Sequence, residues 1–175
     1  MAFKLVIVTL SIIILSSSII ADNKLKIDKI KNNLTKKIIY NSIAWVESKN
    51  KVDAKSSDGS VGILQIKPVV ITDVNRICKI KNLKNKYTLR DRLSEKKSAE
   101  IFWIYQEFYN SDINFNFLSK KDMEKIARKW NGGPKGHRKP QTKKYWKKVS
   151  ERITYEIKGN NISDSVVKKM NWNLI

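Results

Sequence analysis

The stretch KKIIYNSIAWVES at residues 36–48 combines a helical apolar pattern with a carboxylate near its end. Ile39, Ile43 and Val46 repeat at i, i+4 and i+7, which places them on one side of an amphipathic helix. Glu47 follows Ile43 by four residues, so its carboxyl lies near the apolar side of the last turn. Partial burial and the negative end of the helix dipole both disfavour ionisation there, so we expect a raised pKa. A protonated carboxyl can act as a general acid, although a single Glu at a helix end is more often structural or solvated.

Helical patterns continue along most of the chain. Pro68 suits the first position of a second helix. Ser94 is a predicted N-cap for a third helix, and Ser119 with Asp122 resembles a capping box for a fourth. Thr142 is the predicted cap of a last long helix. Strand patterns are weak by comparison, so the domain is predicted to be mainly α.

The first residues of the chain have the three parts of a secretory signal peptide. A positive charge in residues 1–4 precedes an apolar run at 5–15, and small residues lead to a predicted cleavage site after Ala21. The apolar run up to Ala21 is at the lower edge of a membrane span, which needs about 17 residues. An uncleaved anchor is therefore the alternative, and a buried core helix is a third. We expect an exported protein, acting in the periplasm, in the cell wall or outside the cell, with membrane contact only if the segment stays uncleaved.

Composition divides the remaining chain into three parts. Residues 22–35 are rich in lysine and asparagine and are predicted to form a linker. Residues 36–157 form the predicted domain, with its weak strand signal at residues 61–66. Residues 158–175 form a polar tail with a short apolar stripe.

Charge and rare residues limit the function classes. The 36 Lys and Arg against 16 Asp and Glu give a net charge of +20, which implies an anionic partner such as nucleic acid, a lipid surface or an acidic wall polymer. The single cysteine, Cys78, excludes an internal disulfide and a multi-cysteine zinc site, and we expect it in the core. The single histidine, His137, excludes a His-Glu-x-x-His metalloprotease; we expect it to be exposed, without a catalytic role.

Two further segments have side chains suited to sugars. Gly62-Ile63-Leu64-Gln65-Ile66 places an amide among apolar residues beside a glycine that permits close approach. Trp130-Asn131-Gly132-Gly133-Pro134 ends a helix with an aromatic ring and an amide. Taken alone, the first segment is better explained by a short buried strand, and a plain helix stop explains the glycines and proline of the second.

Taken in order, these segments resemble the catalytic domain of the lytic transglycosylases, a lysozyme-like family that cleaves peptidoglycan. Glu47-Ser48 matches the family's Glu-Ser pair, and residues 62–65 match its Gly-x-x-Gln stretch. Residues 127–131 match its Ala-x-x-Tyr-Asn helix end, and Tyr145 matches its downstream tyrosine. The resemblance covers about residues 36–150. Trp130 stands where the family usually has tyrosine, so a role for that phenolic hydroxyl is missing or supplied elsewhere.

The resemblance implies a mainly α, α+β lysozyme-like fold in which a small β or loop region near residues 55–66 flanks the cleft. It implies that Glu47 is the sole general acid and base, and that no metal or cofactor takes part. The residues expected to bind substrate are Ser48, Gln65, Trp130, Asn131 and Tyr145. The expected partners are peptidoglycan glycan strands, together with other anionic wall polymers, whereas nucleic acid is not expected.

Three other functions remain open at this stage. A hydrolytic lysozyme on the same scaffold needs a second carboxylate, and Asp53 and Asp58 are the nearest acids after Glu47, although both also suit turns. A nucleic-acid-binding protein would use the positive charge directly. A wall-binding module without catalysis would keep the groove but would not need Glu47.

Overall fold

The computed structural model describes residues 20–22 and 33–173, and most of these residues are helical. Helix α1 covers residues 33–48, so it begins before the predicted residue 36. The later helices are α2 (Pro68–Ile80), α3 (Glu95–Tyr109), α4 (Lys120–Gly132), α5 (Thr142–Gly159) and α6 (Asp164–Lys169), with short 3-10 helices at Leu89–Leu93 and Gly136–Arg138. The predicted mainly α fold is confirmed.

The N-terminal predictions fall almost entirely outside the described residues. This holds for the signal segment at residues 1–21 and for most of the linker at residues 22–35. Within the described part of the chain, every helix is too short or too polar to cross a membrane.

Local capping signals account for several helix starts. Pro68 is the first residue of α2. The Ser94 side chain accepts the N–H of Lys97 (3.3 Å) at the start of α3, as predicted. Ser119 and Asp122 form the predicted capping box at the start of α4.

The predicted cap at Thr142 is wrong. Helix α5 starts at Thr142 itself, with Gln141 in the N-cap position. The buried Thr142 hydroxyl accepts a hydrogen bond from the Arg128 guanidinium (2.9 Å) and donates to the Gly136 carbonyl (2.8 Å). It therefore ties the connection between α4 and α5 to the core and is not available to cap the helix.

One hydrophobic core joins all the long helices. The apolar face of α1 contributes Ile39 and Ile43, and α3 contributes Phe102, all fully buried. Part of the predicted tail also packs here, because α6 and the residues after it bury Val167 and Trp172 in the same core. The backbone N–H of Lys120 donates to the backbone carbonyl of Met170 (2.8 Å). This hydrogen bond anchors the C-terminal segment to the start of α4.

The single cysteine and the single histidine differ in how well their positions were predicted. Cys78 is buried on α2, as expected. His137 is half-buried, which corrects the prediction of an exposed side chain. It lies in the 3-10 turn that packs against α4, and its Nδ1 atom is enclosed without a partner among the described residues. Burial lowers the pKa of His137, and the positive charges of nearby residues, Lys129 above all, act in the same direction.

The connection between α1 and α2, residues 49–67, is the small β or loop region that the sequence predicted. Its strand signal is limited to two isolated antiparallel bridges, Lys55 with Val61 and Val61 with Ile66. Buried Arg92 holds this connection, because its Nη1 donates to the carbonyls of Gly59 and Ile66, each at 3.0 Å.

A close backbone contact fixes the middle of the same connection. Gly62 has a φ of +85°, and a Cβ atom placed on it would lie 1.8 Å from the carbonyl oxygen of Arg92. Gly59 has a similar φ of +80°, but a Cβ atom there would meet no other atom within 4 Å. A side chain would meet the same backbone strain at either glycine, but only at Gly62 would it also overlap a neighbouring atom.

We predict that Gly62→Ala destabilises the protein much more than Gly59→Ala. The left-handed φ costs either alanine on the order of 1 kcal/mol, and the overlap at Gly62 adds about 1–3 kcal/mol. Thermal unfolding followed by circular dichroism measures both variants. Equal melting temperatures for the two variants would show that the contact between Gly62 and Arg92 does not hold the loop.

Candidate active site

A cavity of about 670 Å³ brings Glu47 together with side chains from several parts of the chain. Glu47 comes from the last turn of α1, and Asp58 and Gln65 come from the connection that follows. Helix α2 supplies one wall, α3 supplies Tyr105 and Tyr109, and the end of α4 contributes Trp130. Each lining element is held by the core described above, so the cavity is a consequence of helix packing.

The carboxyl of Glu47 is the most perturbed acid in this cavity. Burial raises its pKa from about 4.5 to about 7, and the negative charge of Asp58 acts in the same direction. A hydrogen bond from Tyr145 and the charge of Lys67 oppose this rise. Glu47 therefore exchanges its proton near neutral pH, as its position near the apolar side of α1 predicted.

Tyr145 contacts Glu47 directly. Its hydroxyl donates a 2.7 Å hydrogen bond to Glu47 Oε1, although the two residues are far apart in the sequence. Burial and the neighbouring carboxyl hold the pKa of Tyr145 well above its usual range, so the hydroxyl stays a donor. Tyr145, which was expected among the substrate-binding residues, lies against the Glu47 carboxyl and is not among the residues that line the cavity.

Ser48 has a different place from the one expected. Its hydroxyl is buried and donates to the carbonyl of Ile63 (2.8 Å), so it is not among the groups that line the cavity. This contact joins the end of α1 to the segment that carries Gln65. Ser48 therefore helps to position the loop that carries Gln65.

Gln65 does line the cavity, and its backbone is in the left-handed region with a φ of 48°. Its Nε2 atom donates to the carbonyls of Gly62 (2.9 Å) and Ala54 (3.3 Å). Because these bonds hold the amide nitrogen, the side chain has one fixed orientation, with its amide oxygen as the remaining polar group.

Trp130 and Asn131 line the cavity together at the end of α4. The Trp130 ring packs edge-on against Phe102 and Tyr105, with centroid distances of 5.0 and 5.7 Å. Asn131 is exposed beside it, where α4 ends. The structure thus gives Trp130 a rigid, half-buried position that suits stacking against a sugar ring.

Sequence reasoning underestimated Asp58 and missed part of α2. Asp58 does form the predicted turn, because its Oδ1 accepts the N–H of Ser60 (3.1 Å), but it also lines the cavity. Its ion pair with Lys67 (3.0 Å) and the bond from Ser60 lower its pKa to about 2, so it is ionised at neutral pH. Asp73 and Arg76 also line the cavity, and their i, i+3 spacing on α2 was the only signal for them.

Glu47→Gln is expected to stabilise the fold above neutral pH. The folded pKa of about 7 lies above the ordinary 4.5, so Glu47 loses its proton less readily in the folded state. The protonated Glu47 carboxyl therefore makes its full contribution to the free energy of unfolding, up to about 3 kcal/mol, below about pH 4.5. This contribution is lost as the pH rises through 7. Glutamine has no proton to lose.

Thermal melting at about pH 4 and about pH 8 tests this expectation. The variant should gain about 6 °C or more over the wild type at the higher pH, and little at the lower pH. Glu151→Gln, an exposed site on α5, is the matched control and should show no such difference. A gain that does not depend on pH would mean that Glu47 is not held in its protonated form.

Comparison with known proteins agrees with this geometry. The Transglycosylase SLT domain family matches residues 25–153, which include Glu47, the cavity walls and Tyr145. No curated protein and no solved structure matches the chain. The family match covers more than half of the 175 residues. The chain therefore belongs to the transglycosylase SLT domain family, the lytic transglycosylases that act on the glycan strands of peptidoglycan.

Proposed function

We propose that Glu47 acts alone, first as general acid and then as general base, in cleaving the β-1,4 bond between N-acetylmuramic acid and N-acetylglucosamine. The observation that carries the proposal is the half-buried Glu47 carboxyl, whose pKa lies near neutrality, at the surface of a cavity of about 670 Å³. A group with such a pKa is protonated often enough to donate and basic enough to accept a proton.

The proposed reaction has two steps. Glu47 first donates its proton to the bridging oxygen, which leaves with the N-acetylglucosamine residue, while the substrate's own N-acetyl oxygen bonds to the anomeric carbon. The Glu47 carboxylate then takes the proton of the muramoyl C6 hydroxyl. The C6 oxygen displaces the N-acetyl oxygen at the anomeric carbon and closes a 1,6-anhydro ring, which returns Glu47 to its protonated form.

The second step needs the C6 hydroxyl to compete with water. That hydroxyl is part of the same sugar, so its effective concentration far exceeds that of a diffusing nucleophile. Gln65, Trp130 and Asn131 line the cavity in positions suited to hold the sugars. Tyr145 orients the Glu47 carboxyl through its 2.7 Å hydrogen bond. Ser48 acts indirectly, by fixing the segment that carries Gln65.

The charge of the chain supports a site of action in the cell wall. A net charge of +20 favours binding to the carboxylates of peptide stems and to other anionic wall polymers. The predicted signal segment would deliver the protein to the same compartment.

One observation favours a second candidate, hydrolysis. Asp58 is ionised and lines the same cavity as Glu47, so it could activate a water molecule as the second carboxylate of a lysozyme. Its bonds to Lys67 and Ser60 reduce its basicity, which makes it a weak base and favours the single-carboxyl reaction.

The products and two variants distinguish these reactions. Digestion of purified peptidoglycan should yield 1,6-anhydromuramoyl ends, lighter by one water than the ends left by a lysozyme, as measured by mass spectrometry. Glu47→Gln keeps the size of the side chain but cannot supply a proton, so activity should fall at least on the order of 10²-fold. Asp58→Asn should have a mild effect.

Asp53→Asn is the matched control, since Asp53 is an exposed acid outside the cavity lining. Reducing-end products, together with an Asp58→Asn loss as large as that of Glu47→Gln, would establish hydrolysis and overturn the proposal. Full activity of Glu47→Gln would show that another group supplies the proton and would overturn the role of Glu47, whereas absence of cleavage by the wild type would favour a binding module.

Tyr145→Phe is expected to move the alkaline limb of the pH–rate profile to higher pH. The Tyr145 hydroxyl stabilises ionised Glu47 and so lowers its pKa, and removing that bond lets the pKa rise above about 7. The acid form then persists to higher pH, while the maximal rate falls because the carboxyl is less well oriented. The measurement is kcat/KM against pH with soluble glycan strands.

The control for this experiment is Tyr155→Phe, since Tyr155 is exposed on the same helix. Its profile should match that of the wild type. An alkaline limb that stays in place in Tyr145→Phe would mean that Glu47 does not set it.

A further inference from the structure

The α2 wall of the cavity holds a closed hydrogen-bonded ring that the proposed reaction does not use. The Arg76 guanidinium donates to Asp73 Oδ1 from both Nε (2.9 Å) and Nη2 (2.7 Å). Nη2 also donates to the Tyr109 hydroxyl (3.0 Å), and that hydroxyl donates to Asp73 Oδ2 (2.7 Å). All three side chains line the same cavity as Glu47.

This ring leaves the outer end of the guanidinium available. Arginine has five N–H donors, and three of them are used by Asp73 and Tyr109. The two donors on Nη1 have no partner among the residues that the structure describes. The Arg76 side chain is 49% exposed, so a ligand in the cavity can reach it.

The ring also fixes the direction in which those donors point. Asp73 accepts hydrogen bonds from Nε and Nη2 of Arg76, and the Tyr109 hydroxyl accepts a further one from Nη2. The Phe108 ring centroid lies 5.4 Å from the guanidinium carbon. A guanidinium held in this way loses less conformational entropy when it binds a ligand. Stabilisation of α2 alone does not require such an arrangement, because an exposed ion pair contributes under about 1 kcal/mol.

Position along the wall indicates what the ligand is. Val69, Thr72 and Arg76 line the cavity from the first to the third turn of α2, so Arg76 lies about 10 Å along the helix from Val69. The sugars of peptidoglycan are uncharged, whereas the peptide stem on each muramoyl residue carries carboxylates. A guanidinium matches a carboxylate in both charge and geometry.

We propose that Arg76 is a specificity-determining residue that binds a carboxylate of the peptide stem on the muramoyl residue in the cleft. The inference rests on the proposed function, because the stem enters only with a glycan strand. Asp73 and Tyr109 are positioning residues, since they act by holding the guanidinium.

Two substrates test the proposal: glycan strands whose peptide stems have free carboxylates, and the same strands after the stem carboxylates have been converted to neutral amides. We expect the wild type to have a higher kcat/KM for the strands with free stem carboxylates, mainly through KM. Arg76→Gln should reduce the ratio of the two kcat/KM values about 10-fold or more, the usual effect of a charged hydrogen bond. Arg76→Lys keeps the charge without the planar group and should retain part of the ratio.

Lys79→Gln is the matched control, because Lys79 is an exposed cation on α2 outside the cavity lining, and its ratio should equal that of the wild type. Circular dichroism melts establish that each variant is folded. Equal kcat/KM of the wild type for both substrates, or an Arg76→Gln variant that keeps the wild-type ratio, would overturn the role of Arg76. Failure of the wild type to cleave either substrate would contradict the proposed function instead.

Discussion

The hydrogen bond from Tyr145 to Glu47 joins the first long helix of the domain to the last one. For this bond to form at 2.7 Å, α1 and α5 must pack at a defined distance and rotation around the common core. The same packing removes Glu47 from water and raises its pKa to about 7, while the tyrosine keeps the rise within a range where the proton still exchanges. The balance between burial and this one donor therefore decides whether the carboxyl is useful as an acid.

The connection between α1 and α2 depends on a second set of constraints. Arg92 reaches two carbonyls of this segment, Ser48 reaches a third, and Gly62 lets the backbone pass against Arg92 without a side chain between them. These contacts replace the regular ladder that the segment lacks, since only isolated bridges form there. They place Gln65 and Asp58 at the cavity, so the loop is as well positioned as the helices around it.

Two of the acids that line the cavity show how environment separates similar side chains. Glu47 is half-buried against a neutral tyrosine, and its pKa rises; Asp58 is exposed and paired with Lys67, and its pKa falls to about 2. One group therefore holds a proton near neutrality and the other does not. This division supports assigning both proton transfers to Glu47, with Asp58 as part of the charged lining.

The sequence by itself determined the helices and the position of Glu47 on the first of them. Apolar periodicity, Pro68 at the start of α2 and the caps at Ser94 and Ser119 act within a few residues, so they can be recognised from local sequence. The ordered motifs also identified the family and four residues of the cavity lining, which are Glu47, Gln65, Trp130 and Asn131. The cap at Thr142 failed because a contact with Arg128, in another helix, uses its hydroxyl.

Only the tertiary structure decided which atoms meet in the cavity. It bonded the Ser48 hydroxyl to the carbonyl of Ile63, placed Tyr145 on the carboxyl of Glu47, and closed the ring of Asp73, Arg76 and Tyr109. Each of these contacts joins different helices or loops, and no local pattern records the distance between them. The pKa of Glu47 was likewise decided by the tertiary structure, because burial is a property of the packed helices and not of the helix that carries the residue.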